Sequence, residues 1–256
     1  MKKLGWVLTA LALALLLSAC ANEPAGDSAA VQAGVAYLQA LEEKDPGEVT
    51  QVLRERELEK LRAERAAREQ AVYDDLDHVW QYFSDAVILG DSRAVGFSYY
   101  SFLDEARVLA SSGERVSAVE DHVETLKKLD PATVYLCYGI NDIGWYASAQ
   151  EYADAVQAAV ELLQKELPDA TIVVSSILPA QEIACQKQKL WRQIPDYSAA
   201  VAQMCAENGI LFADNTAVCE AHDDLWQADG IHLFPQFYPY WATNLVIASW
   251  GDMADA

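Results

Sequence analysis

The chain has 256 residues, of which 52% are hydrophobic and 22% charged, and a formal net charge of −21. That length and apolar content suit one sizeable domain with an appendage and exclude wholesale disorder. Nucleic acid phosphate repels a polyanion of this size, so no nucleic-acid partner is expected, and acidity otherwise favours solubility.

Residues 1–20 read MKKLGWVLTALALALLLSAC. Lys2 and Lys3 precede an apolar run from Leu4 to Leu17, with small residues before Cys20, which is the pattern of an export signal. Leu17-Ser18-Ala19-Cys20 resembles the lipobox of bacterial lipoproteins. The resemblance implies a signal peptide over 1–19, lipidation of Cys20, and an anchored protein on the outer face of a bacterial membrane, at the cell surface or in the periplasm. An ordinary signal peptide or a short membrane anchor is the plainer reading. Several acyl chains would hold firmly, each buried CH₂ contributing about 0.8 kcal/mol. No later segment offers the roughly 20 uninterrupted apolar residues of a spanning helix. Residues 20–30 are small and polar and form a tether.

From 31 to 82 the pattern is helical, with a break at Asp45-Pro46-Gly47 and a second half rich in good helix formers. Val49, Val52, Leu53, Leu61, Val72, Leu76 and Val79 make a stripe too broken for a coiled coil. The segment reads as a stalk or as a helical layer on the main domain. Binding of a protein partner is its alternative role.

Beyond residue 83 short β-branched runs alternate with helical patterns. The runs cover 86–90, 106–111, 133–139, 171–178 and 210–215; the helices cover roughly 116–129, 149–167, 192–208 and 236–250. Leu167-Pro168-Asp169 and Asn208-Gly209 punctuate helix ends. Such alternation predicts a parallel sheet with helices on both faces, in a domain over 83–256. Reactive groups of such sheets gather beyond the carboxyl ends of the strands. Gly90-Asp91-Ser92 follows the first strand, Ser112-Gly113 the second, and Gly139-Ile140-Asn141-Asp142 the third.

Acyl transfer by a serine needs a hydroxyl, a base, a group that orients the base, and donors for an oxyanion. Ser92 supplies the hydroxyl. In QADGIHL (227–233) Asp229 and His232 lie three residues apart, so a tight turn can bring the carboxylate onto the imidazole. His232 is the candidate base, apt near neutrality. The candidate oxyanion donors are the N–H groups of Ser92 and Gly113 and the side-chain amide of Asn141. Each piece alone is ordinary: Gly-Asp-Ser is turn chemistry, and an isolated histidine is commonly structural. Their order along the chain carries the inference.

These residues resemble the SGNH hydrolases, or GDSL esterase/lipase family. GDS at 90–92 matches the first block, GIND at 139–142 the third, and DGIH at 229–232 the fifth, with Gly113 standing for the second. The likeness spans about 86–250. It implies a flavodoxin-like three-layer α/β/α sandwich with a mostly parallel five-stranded sheet, and a Ser92–His232–Asp229 mechanism needing no cofactor or metal. Two departures stand out. The first block continues as GDSRAVG where many members carry GDSL, and Gly113 lacks flanking matches.

For substrate, Arg93 beside the nucleophile is a candidate carboxylate or polar contact, against the plainer reading that it pairs with Asp91. Trp145 and Tyr146 follow GIND, Phe97, Tyr99 and Tyr100 follow GDS, and Trp191 and Trp226 lie further on. Aromatics at a rim stack on sugars or line acyl pockets, though half of these suit the core. No extended apolar lid is evident. The expectation is an esterase removing small acyl groups, acetyl first, from extracellular or cell-wall glycans. The alternatives are an O-acyltransferase on an envelope glycan and a non-catalytic lipoprotein that binds a glycan or partner. Cys137, inside VYLCYG, reads as a free core thiol; with Cys185, Cys205 and Cys219 it allows three full disulfide pairings. No Cys or His spacing suggests a metal site.

Overall fold

A computed structural model of the chain describes residues 29–42 and 46–251. Cys20, the signal sequence and most of the tether lie outside the described residues. The chain divides between Lys60 and Leu61 into two compact units. The first holds α1 (Ala29–Glu42) and the start of α2 (Pro46–Tyr73). Pro46 stands at the first helical position, where its missing N–H costs nothing. Within this unit the Arg56 guanidinium lies 4.2 Å from the centre of the Tyr37 ring, and Val31, Val35, Leu38 and Leu53 are exposed.

The second unit begins at Leu61, so 61–82 belongs with the sheet. After α2 the chain tightens into a 3₁₀ helix over Leu76–Phe83 and enters β1 (Ala86–Gly90). There follow α3 (Gly96–Tyr99), β2 (Val108–Ala110), α4 (Val119–Leu129), β3 (Thr133–Cys137), α5 (Ala149–Glu166) and β4 (Thr171–Ser175). The remainder is α6 (Glu182–Lys187), α7 (Ile194–Asn208), β5 (Leu211–Ala213), α8 (Thr216–Ala221) and α9 (Tyr238–Ser249). The five strands run in the order β2-β1-β3-β4-β5 and every pairing is parallel. This is the flavodoxin-like order, which sets β1 between β2 and β3.

Side chains alternate across the strands with a period of two, and each face buries its own layer. Val87, Leu89, Val134, Leu136, Ile172 and Val174 pack against α4, α5 and α7. Ala86, Ile88, Tyr135, Cys137 and Val173 face the other way, against Val79, Phe83 and the Trp241–Leu245–Val246 side of α9. Val72 near the end of α2 joins this second layer. The latter part of the helical segment is therefore one wall of the sandwich.

Local chemistry sets the boundaries. The second strand is shorter than its sequence run because Asp104 caps a 3₁₀ turn at Ala106 N. The fourth ends early because Ser175 and Ser176 turn their hydroxyls to Asn215. Ser148 caps α5 by accepting from Glu151 N, while Glu151 reaches back to Ala147 N. Gly209 ends α7 in the left-handed conformation. All four described cysteines are free and buried, so none of the possible pairings is made. Burial pushes the Cys205 and Cys219 thiols up to about 12.

Gly96 opens α3 against the phenol of Tyr238, and a Cβ there would sit inside the Tyr238 ring's van der Waals envelope. Tyr238 cannot yield, because its hydroxyl donates to Arg93 O at 2.8 Å and its ring meets Phe97 edge-on. Gly96→Ala should therefore cost about 1–3 kcal/mol by overpacking, read as a lowered urea midpoint.

Candidate active site

The carboxyl ends of β2, β1 and β3 lie level, with Gly90 paired to Ala110 on one side and Cys137 on the other. The segment after β1 is pinned at once: Asp91 N donates to Cys137 O, and Val95 N to Asp91 O. Asp91 is 0% and Arg93 2% exposed. Asp91 Oδ1 accepts from Arg93 N at 3.0 Å and from Arg93 Nε at 3.3 Å, and Oδ2 accepts from Nη2 at 3.3 Å. Arg93 Nη1 donates to Leu178 O at 2.6 Å. Arg93 is thus walled in, with each guanidinium nitrogen bonded to the protein, which corrects its assignment as a substrate contact. It pairs with Asp91 beneath the serine between them.

Ser92 itself is half-buried, and its Oγ lies 3.0 Å from His232 Nε2. His232 Nδ1 lies 2.6 Å from Asp229 Oδ2. The turn expected from the DxxH spacing is present. Asp229 Oδ1 accepts from Ile231 N and His232 N, and Gly230 takes the positive φ of 75° that the turn requires. Around it Gln227 N donates to His232 O, Phe234 N to Leu225 O and Gln181 N to Gly230 O. Burial acts to raise the Asp229 pKa, but the bonds from the His232 ring and the two backbone N–H groups outweigh it and hold it below the usual value. The imidazole thus faces a carboxylate on one nitrogen and a serine hydroxyl on the other.

Across the serine, Asn141 donates its amide to Glu114 O at 3.0 Å, which ties the loop after β3 to the turn after β2. One amide hydrogen of Asn141 is left over. Gly113 sits exposed in that turn at φ 82°. Among the described residues neither Ser92 N nor Gly113 N donates to a protein acceptor. The two loops are tied twice more. Asp142 Oδ1 accepts from Val116 N at 3.1 Å, and Arg115 Nε donates to Asn141 O at 3.0 Å.

Trp145 is exposed and stacks against the Arg115 guanidinium. Tyr146 lies elsewhere: half-buried, it borders a depression formed by Val116, Glu120, Ala159 and Leu162, and not the cleft beside Ser92. This corrects its assignment as a substrate contact. Its neighbour in the core is Tyr152, with ring centres 5.9 Å apart.

A cleft of about 310 Å³ opens beside Ser92 and His232, lined by Tyr99, Tyr100, Gln227, Leu233 and Tyr238 among others. Gln227 Nε2 donates to Tyr100 Oη and Leu233 O, which fixes the floor. Of the other aromatics flagged in the sequence, Phe97 and Trp226 are core, and Trp191 donates to Ile140 O. Asp142 and Arg115 carried no recognised role in the sequence. The signal for Asp142 was its place in GIND; nothing local pointed to Arg115.

A parallel sandwich with a Ser–His–Asp array at the strand ends defines a class of hydrolase folds. The chain belongs to the GDSL-like Lipase/Acylhydrolase family, whose model matches residues 88–238. Among solved structures it is similar to a GDSL-like lipase from Bacteroides thetaiotaomicron, at 16% identity over 64% of this chain and 87% of the other, with a TM-score of 0.53. An acetyl-xylooligosaccharide esterase from Geobacillus stearothermophilus matches at 18% identity, 66% and 94% coverage, and a TM-score of 0.50. These likenesses establish the shared fold. No curated protein matches the chain by sequence.

Asp142 gives a test of the loop tie. It is 0% exposed, and Oδ2 has no partner. Burial pushes its pKa up to about 7, against the Val116 N–H bond and the two nearby arginines, with Asp91 adding to the rise. An acid whose pKa is raised by folding stabilises the fold fully below its unfolded pKa of about 4, and that contribution is lost as pH climbs through about 7. Asp142→Asn keeps an acceptor for Val116 N and cannot ionise. Between pH 5.5 and 8.5 the wild-type Tm should fall about 3–6 °C more than that of the variant. Parallel falls would rule out this ionisation as the source.

Proposed function

We propose that the protein is an exported, lipid-anchored serine esterase that removes small acyl groups, acetyl above all, from extracellular or cell-wall glycans. The observation that supports it most is the alignment of Ser92 Oγ, His232 and Asp229 at 3.0 and 2.6 Å. His232 Nε2 takes the Ser92 proton as Oγ attacks the ester carbonyl. Asp229 accepts from Nδ1–H and steadies the imidazolium. The tetrahedral oxyanion is received by Ser92 N–H, Gly113 N–H and the spare hydrogen of Asn141. The C–O bond to the sugar then breaks, and the alkoxide leaves with the proton held on Nε2. A water molecule, deprotonated by the same nitrogen, hydrolyses the acyl-serine to the free acid and restores Ser92.

The leaving alcohol departs on the side of His232, where Tyr99, Tyr100 and Gln227 line the cleft. Phenol faces and an amide suit a sugar better than an alkyl chain. The acetyl-xylooligosaccharide esterase of the same fold is, by name, an enzyme for acylated sugars. Anchoring through Cys20 rests on Leu17-Ser18-Ala19-Cys20 following an export signal.

Full-length protein in detergent should hydrolyse an activated acetyl ester, and Ser92→Ala should abolish that turnover. Asp229→Asn should lower kcat about 10⁴-fold. No Ser92-dependent hydrolysis, but acyl transfer onto an added oligosaccharide, would assign the transferase reading instead. Cys20→Ser should move the protein from the membrane fraction to the soluble one.

A further inference from the structure

Arg115 is one of several cations of its unit that form no ion pair among the described residues; Arg68, set against the Trp250 ring, is another. Arg93 pairs with Asp91, Arg107 with Asp85, Lys127 with Glu166 and Arg192 with Glu182. Among the described residues no carboxylate forms an ion pair with Arg115, and its Nη groups meet no protein acceptor. Glu114, its neighbour in sequence, turns to His122 instead, with Oε1 2.9 Å from the ring. Arg115 is nonetheless held in place: Nε donates to Asn141 O, and the guanidinium lies 3.9 Å from the Trp145 ring centre. Trp145 is 62% exposed, so the indole keeps open surface beside the cation.

A chain with a net charge of −21 thus carries an oriented guanidinium with no ion-pair partner among the described residues at the strand-end rim, next to a solvent-facing indole. An indole face suits the C–H face of a pyranose, and a guanidinium fork suits a carboxylate bidentately. We propose that Arg115 and Trp145 form a specificity subsite for a carboxylate-bearing sugar unit of the glycan. The proposal rests on the esterase reading for its catalytic readout. Nε and the Asn141 carbonyl fix the subsite to the loop that supplies an oxyanion donor, so an acidic unit bound there is held in register with the ester at Ser92. The overall negative charge discourages polyanions at large, and the oriented Arg115 fork supplies a cationic point that selects among them.

The test compares an O-acetylated oligouronide with a neutral O-acetylated oligosaccharide of equal length, using full-length protein. Wild type should favour the acidic substrate at least 10-fold in kcat/KM, through KM. Arg115→Gln should remove that preference, and Arg115→Lys, a charge without a fork, should restore only part of it. The ratio of the two substrates cancels any loss passed through Asn141. Wild-type KM for the acidic substrate alone should rise between 50 and 500 mM NaCl, a readout that needs no variant to fold. A wild type indifferent to the carboxylate, or a ratio unmoved in folded Arg115→Gln, would overturn the subsite and leave Arg115 as a brace for Trp145. If no Ser92-dependent turnover exists, calorimetric binding of the unesterified oligouronide decides. At least 10-fold weaker binding in Arg115→Gln supports the subsite independently of the esterase, and no binding to wild type overturns it.

Discussion

Asp91 and Arg93 flank Ser92 in sequence, and both are withdrawn from water. Removing one partner of such a pair strands the other charge in a medium that cannot solvate it, at a cost of about 3–5 kcal/mol. The pair is also a junction. Through Asp91 N it reaches the end of β3, through Arg93 Nη1 the segment after β4, and through Arg93 O the Tyr238 hydroxyl of α9. Those anchors turn two neighbours of the serine inward and leave Ser92 facing the cleft. The orientation of one hydroxyl thus depends on a buried ion pair with no access to substrate.

The remaining groups reach Ser92 from far along the chain. His232 arrives by a hairpin-like loop whose backbone bonds at Gln227, Phe234 and Gly230 close on themselves. Asn141 and the turn at Gly113 arrive from the neighbouring strands and are stitched together by Asn141, Asp142 and Arg115. Each loop is fixed by its own hydrogen bonds before any ligand binds. That is the condition under which dipoles stabilise developing charge without reorganising.

Much of this was readable from residue order alone. A serine, a glycine and an asparagine after successive strands, with DxxH near the end, bring their groups to one rim because a parallel sheet puts its strand ends there. Side-chain direction was the harder matter. Arg93 sits beside Ser92 in sequence, yet its inward turn depends on Leu178 O, 85 residues away. Tyr146 follows Trp145 directly, yet only the tryptophan stays in solvent. Arg115 acquires its meaning from Asn141 and Trp145, both on another loop. The entry of 61–83 into the core was masked by a change of helical period. Val72 lies on an α-helix, whereas Val79 and Phe83 lie on a 3₁₀ turn, so their apolar spacing follows no single repeat.

The four thiols of the described residues are each enclosed by core and uncoupled from one another. Packing, hydrogen bonds and ion pairs therefore hold the described residues of the sandwich together, and their covalent framework is the same in a reducing or an oxidising medium. Folding of the described residues needs no correct choice among cysteine partners. Made in a reducing or an oxidising compartment, the described residues would carry the same covalent bonds.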